Sequence, residues 1–312
     1  MLLTEPWAFR RAASVYTALS MKSAARLALL AATVGCAHPK SASPPPAAAA
    51  APPPPVTSVE GPAGRLSVDD GGRGGPPVLF VHGNGSNKSQ WTGQLSHLRP
   101  TRRAAAFDLR GMGQSAPAAD GDYSVEAFAS DVAAVADAMK FSRFVLVGHS
   151  FGGAVVCAYA GRHPDRLAGL VFADVAGDAS GTPADRVEGL KRGLAPDNYV
   201  QFTDAWFDRI LTGAADRTRA AVLASLHATP REVFTGATLG LYSFPLKEAL
   251  ARYSGPRLSI ASYLAENPQV IHRSIEGIPA RVIGGASHWL MMDRPEEFDR
   301  ILDEFLASLE KK

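Results

Sequence analysis

The stretch that most limits what this chain can become runs from Phe144 to Gly153. Four apolar residues, Phe144, Val145, Leu146 and Val147, end abruptly in Gly148, His149, Ser150, Phe151, Gly152 and Gly153. The run predicts a buried strand driven into a sharp turn. Glycines two residues before and two after Ser150 let the strand reverse into a helix, with the serine held in a strained conformation that larger neighbours would block. The helix expected over Ala154 to Gly161 aims its positive end at Ser150, and the Phe151 amide is placed to donate to a developing oxyanion. Alone, Gly-x-Ser-x-Gly is most often a glycine-rich turn with a solvated serine, so its meaning depends on the rest of the chain.

That remainder can build a core. Of 312 residues, 46% are apolar, which suits one large α/β domain or two small ones. The formal charge of +2 is weighted toward the N-terminus, where residues 1–35 carry Arg10, Arg11, Lys22 and Arg26 against Glu5 alone. Without that segment 28 basic residues face 29 acidic ones, a net −1. Such a balance gives no electrostatic footprint for nucleic acid. The two cysteines, Cys36 and Cys157, are too few for a disulfide framework.

From Met21 a basic start leads into the apolar run Leu27 to Val34 and then Gly35 and Cys36. A run this short cannot span a bilayer, which takes about 20 residues, and it reads as a secretory signal. The small residues before Cys36 resemble a bacterial lipoprotein signal, in which that cysteine is acylated and becomes the new N-terminus. The expected location is therefore extracytoplasmic and membrane-anchored through lipid on Cys36, the alternative being a secreted or periplasmic protein after ordinary cleavage. Residues 1–20 fit neither pattern and read as an overlong start, with Met21 the initiator. Residues 36–59, dominated by proline and alanine, cannot form a core and favour extended polyproline, a tether of roughly 60 Å. The folded domain is expected over 60–312.

Within it, strands are expected at Gly64–Val68, Val78–Val81, Ala104–Phe107, Leu170–Ala173, Leu258–Ala261 and Ala280–Ile283, with Asp69 to Gly75 as a turn. Val125, Phe128, Ala129, Val132, Val135, Ala136 and Met139 recur at helical spacing, as do Phe298, Ile301, Leu302, Phe305 and Leu309. Alternating strands and helices predict a mostly parallel sheet with helices on both faces. The rhythm breaks between about 176 and 256, where helix-like stretches carry Tyr199, Phe202, Trp206, Phe207, Phe234, Tyr242 and Phe244. This insertion reads as a lid. His82 to Ser86 and Asp108 to Ser115 are glycine-rich loops after strands. In the second, Asp108 and Arg110 are expected to tie the loop together; no phosphate-binding Gly-Lys-Ser/Thr pattern follows it.

Taken together, His82-Gly83, Asp108 to Ser115, Gly148 to Gly153, His288-Trp289 and Arg294 to Phe298 resemble the α/β-hydrolase superfamily over nearly the whole folded part. The resemblance implies that fold, with a helical lid inserted after the sixth strand. It also implies Ser150 as nucleophile and His288 as general base, in the chain order Ser, acid, His. The Asn84 amide takes the role of second oxyanion donor beside Phe151, while the His82 ring is expected only to brace its turn. His149 and Trp206 are expected to line the substrate pocket; His163 and His272 are read as structural. Family members usually carry an aspartate after the strand corresponding to Leu258–Ala261, but Ser262 to Pro268 contains none. Asp174, after the preceding strand, is favoured as the acid over Glu266.

A serine at the turn argues against the dehalogenase and epoxide-hydrolase branches, whose covalent intermediates need a carboxylate. The expected activity is cleavage of carboxylic esters of small to medium apolar acyl compounds through an acyl-enzyme, by a carboxylesterase-like enzyme. Its partner would be a small-molecule ester, with no cofactor and no metal. A lactonase, carbon–carbon bond hydrolase or perhydrolase on the same triad is the alternative within enzymes. A non-catalytic ligand-binding protein is the alternative from another class, since fold alone does not fix function.

Overall fold

A computed structural model describes residues 57–310. The expectations for the signal segment, for Cys36 and for most of the tether fall outside the described residues. Eight strands, β1 (Ser58–Gly61), β2 (Gly64–Gly71), β3 (Val78–Val81), β4 (Ala104–Phe107), β5 (Phe144–His149), β6 (Leu167–Ala173), β7 (Arg257–Ala261) and β8 (Ala280–Val282), form one sheet. Their order is β1-β2-β4-β3-β5-β6-β7-β8. The β1–β2 and β2–β4 pairs are antiparallel and every other pair is parallel. Helices are α1 (Thr92–Leu98), α2 (Val125–Ala138), α3 (Phe151–Arg162), α4 (Ala184–Gly193), α5 (Tyr199–Ile210), α6 (Asp216–Ala228), α7 (Arg231–Leu241), α8 (Leu246–Leu250), α9 (Ile271–Ser274), α10 (Leu290–Asp293) and α11 (Pro295–Glu310). None of the described helices is long and apolar enough to cross a membrane.

The central strands are apolar runs because both of their faces are covered. Side chains alternate between two cores. Leu79, Val81, Leu146, Leu170 and Phe172 join the core under α2 and α3, whereas Val78, Phe80, Val145, Val147, Val171 and Ala173 join the one formed with Trp91, Phe298 and the lid. That is the two-residue period of a strand, read out on a sheet buried twice. Helix α2 starts at Ser124, whose hydroxyl accepts from the Ala127 amide at 3.2 Å, a side-chain N-cap. Its stripe Val125, Phe128, Val132, Val135 and Ala136 is buried.

The sheet expected from the sequence is present, mostly parallel with helices on both faces, and helices α4 to α8 are inserted after β6. Three details differ. Strand β1 takes in Ser58 and Val59, read as tether, because they pair with Ser67 and Leu66. Strand β2 runs on through Gly71, read as turn, since Asp69 to Gly71 pair with β4. Of the two side chains expected to tie the loop after β4 together, Asp108 does so and Arg110 does not. Asp108 accepts from the Lys88 amide and ammonium, both at 2.7 Å, and from the Gln114 amide at 2.9 Å. Arg110 instead forms a buried two-pronged pair with Asp131 on α2, both bonds 2.7 Å. Asp108 thus closes the loop on itself and ties it to Lys88, while Arg110 ties it to α2.

Strand order reverses at β3, which lies between β4 and β5. Loops leaving β3 and β5 therefore separate at their carboxyl ends and open a crevice between them, the usual place for a ligand in an open parallel sheet. The pairing of Val81 with Gly148 brings the His82 to Ser86 loop beside Ser150.

Candidate active site

Ser150 sits between β5 and α3 at φ 51° and ψ −121°, a region costly for any residue with a Cβ. Two glycines make this turn possible. A Cβ on Gly152 would lie 2.6 Å from the His82 carbonyl oxygen and 2.7 Å from that of Val81, and one on Gly148 would overlap the Gly152 carbonyl. The Ser150 amide is tied back to the Ala173 carbonyl at 3.1 Å, which fixes the turn to the sheet. Its hydroxyl lines a cavity of about 460 Å³ and has no hydrogen-bond partner among the described residues.

His288 follows β8 and is buried. Its Nδ1 lies 2.7 Å from Asp174 Oδ2, so Nδ1 carries the hydrogen that Asp174 accepts and Nε2 is left as the acceptor nitrogen. Asp174 is fully buried at the end of β6, itself at φ 48°. Its other oxygen accepts from the Ser262 amide at 2.8 Å and the Leu264 amide at 3.1 Å. Three donors satisfy a carboxylate that would otherwise be expensive to bury. Glu266 lies elsewhere: it is exposed and pairs with Arg273 at 3.1 Å. Ser150, His288 and Asp174 all border the cavity, and Glu266 does not.

Phe151 follows Ser150 in the chain, and the loop carrying Asn84 comes close to it, since a Cβ on Gly83 would lie 3.2 Å from Ser150 Cβ. Phe151 is the first residue of α3, so its amide has no intrahelical acceptor, and the Asn84 amide donates to no backbone carbonyl. His82 braces the turn: its Nε2 accepts from the Leu109 amide at 2.9 Å, so Nδ1 donates to the Gly83 carbonyl at 2.8 Å. Burial holds its pKa below the ordinary histidine value. His163 caps the end of α3 and stacks on Tyr159, and His272 shares a hydrogen bond with the Ser259 hydroxyl.

His149 borders the cavity, but it is fully buried and both ring nitrogens are engaged. Nε2 donates to the His288 carbonyl at 2.9 Å, and Nδ1 accepts from Gln90 Nε2 at 3.4 Å. Gln90 is in turn fixed by the Ser86 hydroxyl at 2.7 Å. Burial, then the neighbouring His288, holds the His149 pKa well below the ordinary value, so the ring stays neutral and braces the His288 loop. Asp293 completes that support, accepting from the Ser287 amide and hydroxyl at 3.0 and 2.6 Å. Gln90 and Asp293 carry no signal in the sequence that sets them apart.

The lid forms the apolar wall. Phe202, Trp206, Phe207 and Phe234 border the cavity, and Trp206 packs edge-on against Phe202, Phe207 and Phe234 with ring centroids 6.0–6.3 Å apart. The lid is also bonded to the loop after β3. Asn84 Nδ2 donates to the Phe234 carbonyl at 2.9 Å and the Thr238 hydroxyl at 2.8 Å, both on α7. Asn87 Nδ2 donates to Ser225 on α6 at 2.6 Å.

The chain belongs to the alpha/beta hydrolase fold family, whose model matches residues 76–232. Among curated proteins it is 28% identical over 259 residues to a 2-hydroxy-6-oxo-2,4-heptadienoate hydrolase of Pseudomonas putida, covering 75% of this chain and 90% of that one. It is 27% identical over 278 residues to epoxide hydrolase 3 of Xenopus tropicalis, covering 77% and 73%. Among solved structures it resembles Est816, described as an N-acyl homoserine lactone degrading enzyme, at a TM-score of 0.71 and 25% identity, with 80% and 99% covered. A thermophilic esterase from Thermogutta terrifontis superposes at a TM-score of 0.70 and 25% identity, with 81% and 98% covered.

Proposed function

We propose that this protein is a serine hydrolase that cleaves carboxylic esters of small to medium apolar acyl compounds through an acyl-enzyme. The observation that carries the reading is the buried 2.7 Å bond between His288 Nδ1 and Asp174, which borders the same apolar cavity as the strained Ser150. Ser150 Oγ attacks the ester carbonyl while His288 Nε2 takes its proton. Asp174 holds the ring in that tautomer and stabilises the imidazolium that forms. The Phe151 and Asn84 amides receive the oxyanion. His288 then gives the proton to the departing alcohol, and a water activated by the same nitrogen releases the acid. The cavity volume of about 460 Å³ fits a ligand of modest size.

Ser150→Ala should lower ester turnover by roughly 10⁶-fold if the three residues act as a unit. A p-nitrophenyl ester series on the full chain measures this, and retained turnover would refute the assignment. A lactonase or carbon–carbon bond hydrolase on the same residues is the second reading, favoured by the likeness to proteins described as acting on such substrates. Parallel assays with a lactone and a vinylogous diketone separate it from the first. The chain is further proposed to be held outside the cytoplasm by acylation of Cys36. Incorporation of a labelled fatty acid that is lost in Cys36→Ser tests this, and no incorporation into the wild type would refute it.

A further inference from the structure

We infer that the alcohol half of the substrate carries an anionic group, a carboxylate, bound by Arg209 at the mouth of the cavity; this rests on the serine hydrolase reading above. Among the residues that border the cavity Arg209 is the one lysine or arginine. It lies in the last turn of α5, exposed, and its guanidinium makes no ion pair and no hydrogen bond among the described residues. The acid next to it is already taken, since Asp208 pairs with Arg219 at 2.6 Å. Several of the other polar groups of the wall are engaged within the protein, although Asn84 Oδ1 and Trp289 Nε1 are buried without a partner. His149 uses both nitrogens, Asp174 both oxygens, and Thr238 receives Asn84. An unpaired guanidinium at the rim of an apolar cavity is a directional site for a planar anion.

Its place relative to the chemistry says which half of the ester it meets. The His288 amide donates to the carbonyl of Ile210, the residue after Arg209, at 3.1 Å, and Phe207 stacks on Trp289 with centroids 5.7 Å apart. The end of α5 is thus fixed to the loop that carries the general acid. Tyr263 stands on the same side, its ring edge-on to His288 at 6.1 Å. Burial raises the Tyr263 pKa, and the positive charge of Arg209 acts against that rise. His288 must reach the leaving oxygen to protonate it, so the alcohol departs on the His288 side, beside Arg209. The acyl chain then takes the aromatic wall under the lid. In the overall reaction water adds across the ester bond, giving an apolar carboxylic acid and a hydroxy acid.

Two butyrate esters of similar shape, 4-carboxyphenyl butyrate and 4-nitrophenyl butyrate, test the assignment with the full chain. Arg209→Gln should lower kcat/KM for the carboxylate ester roughly fivefold more than for the nitro ester, and Arg209→Lys should recover part of the difference. Raising ionic strength should narrow the gap in the wild type only. Equal losses on both esters, with both reactions still abolished by Ser150→Ala, would overturn the Arg209 assignment and leave the hydrolase reading standing. No turnover of either ester by folded wild type would overturn both.

Discussion

The sequence favours Asp174 over Glu266 only narrowly, because each follows a strand on the side where a parallel sheet places its ligands. What separates them is a hydrogen bond between residues 114 positions apart, which no local pattern encodes. Asp174→Asn should lower kcat by roughly 10³-fold or more through loss of the tautomer. Glu266→Gln, which breaks only an exposed pair with Arg273, should change neither activity nor stability beyond about 0.5 kcal/mol. Steady-state kinetics of the two variants reads the contrast, and a larger loss from Glu266→Gln would reverse the assignment. The glycines around Ser150 were more legible, since the turn needs them whatever the tertiary context. Gly152→Ala places a methyl against two strand-end carbonyls that cannot retreat, and should destabilise the fold by about 2–4 kcal/mol, measurable as a lowered denaturant midpoint. An unchanged midpoint would mean that the turn relaxes freely.

At the scale of elements, the central strands were readable because burial on both faces leaves unbroken apolar runs, and α2 and α11 because theirs is a one-sided stripe. β1 was not, since Ser58–Gly61 offers a single buried residue, Val59, and exists through its partner β2. The aromatic content of the insertion pointed to a lid, but nothing in the sequence links Asn84 to Thr238, 154 positions away. That link gives the lid a part beyond covering the cavity, because the residue whose amide is proposed to receive the oxyanion is held by its side chain to α7. Thr238→Val removes one acceptor at nearly constant volume. It should lower kcat roughly three- to tenfold, the worth of one hydrogen bond, with KM within about twofold, and Thr238→Ser should restore it. A change confined to KM would mean that α7 shapes the pocket without positioning Asn84.

Across the whole molecule the parallel sheet and its reversal at β3 bring loops from β3, β5, β6 and β8 to one edge, and two neutral histidines hold that edge together. His82 and His149 are fully buried, and burial depresses both pKa values below 6.5. Unfolding returns them to 6.5, so below that pH the unfolded chain binds protons that the folded one does not. Stability is therefore unpenalised above about pH 6.5 and falls as pH drops below it, by up to about 1.4 kcal/mol per pH unit for each histidine. Urea unfolding of wild type and His82→Gln between pH 5 and 7.5 measures the slope, which should be shallower in the variant. Equal slopes would show that His82 takes up its proton without unfolding.

The central claim is that Ser150 is an activated nucleophile, and the most direct measurement is intact mass after exposure of the full chain to a fluorophosphonate, followed by peptide mapping. The account predicts one adduct, on the peptide carrying Ser150, absent in Ser150→Ala and much slower to form in Asp174→Asn. A folded wild type that takes up no adduct, or takes it up on another residue, would contradict it.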